Sequence, residues 1–279
     1  MKKNMKKNMK KDQIEFDSNF SYLDKQFDSP FLLEIKDLCV SIDSQSILRD
    51  FNLCVRPGEI HVLMGPNGCG KSTLSKVLTG HPAYTIESGK ILFDSENLLS
   101  FSPELRSRKG IFLAFQYPIE ISGISNYEFL RMACNEKRIS NGKSPLNPLE
   151  FMEFIQPILI RLKIPFEFLQ RDLNEGFSGG EKKKNEILQM LLLEPKLILL
   201  DEIDSGLDID ALKLIWKTIL TERDPKSSLL VITHYSKVFD YVDPSYVHIM
   251  VNGKIRQTGT TDLVHDIESK GFESFLEIS

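Results

Sequence analysis

The sequence predicts an α/β protein built on a largely parallel sheet, and three observations lead there. Residues 197–200 and 229–233 are continuous apolar runs, as expected of strands covered on both faces. Residues 60–64 form another such run, which passes directly into a glycine-rich loop and then into helical spacing over residues 74–79. Between these strand regions, over about residues 120–180, strand signals fade and helical spacing takes their place.

The elements follow in order. Residues 1–29 begin MKKNMKKNMKKDQ, and so polar a stretch cannot bury a core, so a disordered, solvated tail is expected. It lacks the apolar stretch of a secretory signal. One domain is expected over residues 30–279, with the helical subdomain of about residues 120–180 inserted in it. Residues 32–42 and 47–55 alternate apolar and polar, the pattern of antiparallel strands with one wet face. Pro57-Gly58 turns the chain into strand 60–64. Helical spacing runs over 127–139 and 149–162, with Pro145, Pro148 and Pro165 as breakers. Helices are also expected over 182–193 and 211–220. Near the end, 246–251 and 254–257 flank Asn252-Gly253, a strong hairpin signal.

Composition narrows the function. A chain of 279 residues with 41% hydrophobic content can bury a substantial core. Its net charge of −4 gives none of the basic surplus that nucleic-acid binding usually shows. The most apolar region, 187–200, is broken by Glu194, Pro195 and Lys196, whereas a spanning helix needs roughly 20 apolar residues. Cys39, Cys54, Cys69 and Cys134 form no CxxC pair and no zinc-spaced cluster, which fits a reducing compartment.

The chemistry concentrates in a few segments. Gly65-Pro66-Asn67-Gly68-Cys69-Gly70-Lys71-Ser72-Thr73 satisfies the phosphate-loop pattern G-x-x-x-x-G-K-[ST]. Its glycines let backbone N–H groups converge on phosphate oxygens at a helix start. Lys71 is placed to reach the β- and γ-phosphates, and the Ser72 hydroxyl to ligate Mg²⁺. Asp201-Glu202 ends an apolar strand, where α/β sheets bind ligands. Asp201 suits Mg²⁺ held through water, and Glu202 suits a general base for the attacking water. Ser178-Gly179-Gly180-Glu181 opens a helix. It reads either as a second anion site or as an ordinary capping box.

The order of phosphate loop, Gln116, Ser178-Gly179-Gly180, Asp201-Glu202, Ser205-Gly206-Leu207-Asp208 and Thr233-His234 resembles the ABC ATPase family. The resemblance implies a P-loop ABC cassette with a mixed-sheet core, an antiparallel β subdomain and a helical subdomain. It implies that Gln116 contacts Mg²⁺ and the reacting water, that Ser178 to Glu181 is the signature loop, that Asp208 lies in the D-loop, and that His234 stands near the γ-phosphate. The segments around Gln116, Ser178 and Asp208 are similar to the ATPase of Suf iron–sulfur cluster assembly. That narrower likeness implies ATP and Mg²⁺ as cofactors, soluble SufB- and SufD-type scaffold partners and ATP-dependent homodimerisation within the complex. It also implies a plastid stroma or bacterial cytoplasm, with the Lys/Asn/Ile-rich composition favouring the plastid. A transporter's nucleotide-binding subunit is the alternative. Transporter ATPases usually carry Gln at the position of Glu181 and an Arg-rich helix after it, and this chain carries neither.

Overall fold

The structure, a computed structural model, describes residues 30–115, 118–203 and 207–275. The tail expected over residues 1–29 lies outside them. β1 (Leu33–Ile42) and β2 (Gln45–Val55) pair antiparallel across Asp43-Ser44. Both turn residues have positive φ, 46° and 64°, as a tight hairpin with right-handed strand twist requires. β3 (Ile60–Met64) leads into α1 (Lys71–Thr79). β4 (Thr85–Phe93) returns to β1, and the short β5 (Glu96–Asn97) completes an antiparallel sheet in the order β2-β1-β4-β5. The sequence reading missed β4. Most of its residues are exposed or half-buried, so it lacks a clean alternation.

The chain then forms α2 (Pro103–Lys109), β6 (Ile111–Ala114) and β7 (Ile121–Ser125). Next come α3 (Asn126–Ser140), α4 (Pro148–Leu162), β8 (Asp172–Leu173) and α5 (Gly179–Leu193). Pro148, read as a breaker, stands instead at the start of α4, where its missing N–H costs no helical bond. Asn147 caps that helix in a reciprocal pair with Glu150. β9 (Leu197–Asp201), α6 (Ile209–Glu222), β10 (Ser228–Ile232), β11 (Tyr246–Val251), β12 (Lys254–Gly259) and α7 (Asp262–Lys270) complete the chain's main elements.

The central sheet runs β12-β11-β3-β10-β9-β6 and is parallel except for the β11–β12 hairpin. Alternation along its strands explains the apolar runs. Leu197 and Leu199 of β9 face a core shared with the antiparallel sheet and α1, including Leu33, Val55, Leu74 and Leu78. Ile198 and Leu200 face the helices, against Leu188, Ile215 and Trp216. Burying such side chains contributes about 1.5–3 kcal/mol each. At the β11–β12 turn, Asn252 and Gly253 have φ of 50° and 80°. A Cβ on Gly253 would come within 2.2 Å of the Ile47 carbonyl oxygen, so close approach of β2 demands glycine there. Among the described residues, no helix is long and apolar enough to cross a membrane.

Candidate functional site

Three loops leave the C-terminal ends of the adjacent strands β3, β10 and β9, where α/β sheets gather ligand-binding groups. The first is the glycine-rich loop. Gly68 and Gly70 have φ of 79° and 110°, and Gly70 hands the chain to α1. A Cβ on Gly65 would sit 2.1 Å from the Met250 carbonyl oxygen, so β11 excludes any side chain there. Cys69 is buried, which raises its thiol pKa, whereas Asn67 and Gly68 are exposed. Lys71 is 5% exposed, and its ammonium donates to the carbonyls of Gly65 (2.8 Å) and Pro66 (2.9 Å). The cation is thus held by its own loop at the positive end of α1.

Asp201 ends β9 against this helix. Its Oδ1 accepts from the Ser72 hydroxyl at 3.2 Å and its Oδ2 from the Ser75 hydroxyl at 2.9 Å. Burial pushes the Asp201 carboxyl up, and the two hydroxyls oppose that shift. Sequence reasoning passed over Ser75. The available signal was its i+3 spacing from Ser72, which puts both hydroxyls on one face of α1.

Glu202 adopts φ 49°, a left-handed backbone unusual for a side chain of this size. Such strain costs on the order of 1–3 kcal/mol and gathers at functional sites. Its N–H donates to the Ile232 carbonyl at 3.0 Å, which ties it to β10. Its Oε1 lies 3.0 Å from Nδ1 of His234, the second residue after β10. Thr233 completes the join, since its N–H donates to Leu63 of β3 at 3.2 Å. Ile203, without meaning in the sequence reading, is buried in the helix-side core. It anchors the chain just beyond Glu202.

Ser178 caps α5. Its hydroxyl accepts from the Glu181 N–H at 3.3 Å, and its own N–H donates to Glu181 Oε2 at 2.7 Å. Arg171 pairs with Glu181 at 2.9 Å and lies over the Phe177 ring, which steadies the loop. The Ser178 N–H bond to Glu181 is the largest cause that depresses that carboxyl's pKa, with Arg171 adding to it and burial opposing it. The capping box and the exposed Ser178-Gly179 edge therefore coexist. Asp208 caps α6, accepting from the Ala211 N–H at 2.7 Å. Gln116, Ser205 and Gly206 lie outside the described residues.

The chain has known relatives. Residues 48–205 match the ABC transporter family. The chain is 56% identical over 242 residues to a Trieres chinensis protein named "Probable ATP-dependent transporter ycf16", covering 87% of this chain and 96% of that one. It is 48% identical over 241 residues to "Probable ATP-dependent transporter SufC" of Escherichia coli (strain K12), covering 86% and 97%. Among solved structures, a nucleotide-free ATP-binding cassette from an ABC transporter superposes with a TM-score of 0.70. That pair is 26% identical, over 89% of this chain and 98% of the other. The chain belongs to the ABC transporter family of ATP-binding cassettes, alongside relatives such as SufC, and its activity is the binding and hydrolysis of ATP.

Proposed function

We propose that this ATPase drives iron–sulfur cluster assembly on a soluble Suf scaffold complex. The observation that carries this reading is the 48% identity to SufC across nearly the whole of that protein. In this reading Gly65 to Thr73 wrap the phosphates of ATP, and Lys71 exchanges the carbonyls of Gly65 and Pro66 for phosphate oxygens. Glu202 accepts the proton of the attacking water. His234, bonded to Glu202, orients that carboxylate and faces the γ-phosphate. Gln116 helps hold the metal and the water.

The residues present fit Mg²⁺. Ser72 and Asp201 bring two hard oxygen donors into contact at a helix start, and a buried carboxylate is well matched to a divalent cation. When bound, Mg²⁺ neutralises charge on the β- and γ-phosphates. Ser75 fixes the Asp201 carboxylate, which would help hold the ion through water.

The site is completed by a second copy. Ser178, Gly179 and Gly180 of one subunit close on ATP held by the other. Gly180 supports this reading, because among the described residues nothing lies within 4 Å of a Cβ placed there, which leaves the loop open to close approach. SufB- and SufD-type proteins bring the two copies together, and the setting is plastid stroma or bacterial cytoplasm, with plastid preferred.

The relatives' names, which call them ATP-dependent transporters, favour transport as the second reading. Affinity capture of the tagged chain from its own cells separates the two. Recovery of SufB- and SufD-type scaffold proteins is the expected result. Recovery of an integral membrane protein in their place overturns the reading in favour of transport.

A further inference from the structure

Helix α5 does more than present Ser178 at its start. β6 is an edge strand of the central sheet and its pairing with β9 stops at Ala114, so among the described residues the next one, Phe115, lies beyond the ladder. Two side chains of α5 bond its backbone instead. The Phe115 N–H donates to Glu186 Oε1 at 2.7 Å, and its carbonyl accepts from the Lys183 ammonium. Lys183 and Glu186 also pair with each other at 3.0 Å, with side chains 6% and 5% exposed.

The same helix takes hold again a few residues on. Lys182 pairs with Glu120 at 2.6 Å. The Ile119 carbonyl accepts from Asn174 at 2.8 Å, and Asn174 accepts from Asn185 of α5 at 2.9 Å. Asn185 and Asn126, both fully buried, exchange two amide hydrogen bonds of 3.0 Å. Residues 115, 119 and 120, on both sides of Gln116, are therefore all fastened to one helix.

A buried ion pair is a poor source of stability, because desolvation offsets most of the attraction and an apolar pair of similar volume serves as well. Burial pushes the Glu186 carboxyl up, and the adjacent Lys183 charge is what opposes it. What this pair supplies that an apolar pair cannot is a grip on both backbone groups of Phe115.

We infer that Lys183 and Glu186 are positioning residues that tie the backbone ahead of Gln116 to the helix that begins at Ser178. Phe115 and the start of that helix are then held in one fixed arrangement. This inference rests on the reading of Gln116 and Ser178 given above.

The test is the double variant Lys183→Met/Glu186→Leu, which keeps the volume and removes both buried charges. Its thermal midpoint is expected to fall by only a few degrees, about what the unpaired Phe115 N–H and carbonyl cost. Amide exchange over residues 111–121 should be roughly tenfold faster, because the Phe115 N–H has lost its acceptor. The kcat should fall roughly 10- to 100-fold with KM for ATP nearly unchanged, since misplacement acts on the hydrolytic step. Glu186→Gln keeps an oxygen acceptor and should recover most of the protection. Unchanged exchange over 111–121 overturns the inference, and so does faster exchange with an unchanged kcat. Should the double variant not fold, Lys182→Ala removes only the half-exposed hold on Glu120, with about a threefold effect expected on both readouts. Lys71→Ala, run alongside, reports on the nucleotide-site reading separately, because the exchange measurement on the Lys183 and Glu186 variants needs no ATP.

Discussion

Glu202→Gln is expected to leave ATP bound while slowing its hydrolysis by roughly 10²–10⁴-fold, the usual contribution of a general base. The substitution keeps size, and an amide oxygen can still accept from His234 Nδ1 at the 3.0 Å separation seen here. What it loses is the ability to take a proton from water. The left-handed backbone at φ 49° holds the side chain where it is, so the loss is chemical rather than conformational. Fluorescent-nucleotide binding and phosphate release, measured on one preparation, separate the two effects. A trapped ATP-bound dimer should accumulate. Hydrolysis near the wild-type rate would move the proton acceptor elsewhere, with His234 the first candidate by proximity.

Lys71→Ala is expected to abolish turnover to within background, a loss of roughly 10²–10³-fold or more. Lys71 is a buried cation whose ammonium donates to the carbonyls of Gly65 and Pro66 and, more distantly, to the Cys69 sulfur. Those neutral acceptors can be given up for a phosphate oxygen, which a charge-assisted bond favours. Unlike Glu202→Gln, this variant should also weaken ATP binding. Isothermal titration with ATP, followed by a turnover assay, checks both parts. Wild-type hydrolysis in Lys71→Ala contradicts the assignment of the loop.

Much of this was legible in the sequence because local chemistry dictated it. Residues 60–64 are too apolar to be anything but buried, and Gly68 and Gly70 occupy backbone conformations that only glycine adopts freely. Asn252-Gly253 encodes its turn in two residues. By contrast, β4 owes its existence to pairing with β1, a tertiary contact its own polar residues do not announce. β6 is four residues long, too short to display a period. At the site, the motif residues were visible but their supports were not. Ser75 reads as one more helical serine until Asp201 is seen to accept from it. No sequence pattern links Lys183 and Glu186 to Phe115, yet both are buried against its backbone. The strain at Glu202 is invisible to any pattern, because glutamate carries no preference for that conformation.

In the proposed reading, each ATP site is built from Lys71 of one subunit and Ser178 of another. Two inactive variants test it directly when they are mixed. Lys71→Ala spoils the phosphate loop, and Ser178→Arg fills the exposed edge of the signature loop. In a mixed pair, the sound phosphate loop of one subunit meets the sound signature loop of the other. Random two-fold pairing makes half the dimers mixed, each with one intact site in two, so about a quarter of wild-type ATPase activity should return. The measurement is the ATPase rate of the equimolar mixture, with the scaffold partners present, against each variant alone. Recovery to about a quarter from two silent proteins is the predicted result. A mixture as silent as its components, or full activity in Ser178→Arg alone, would contradict the account.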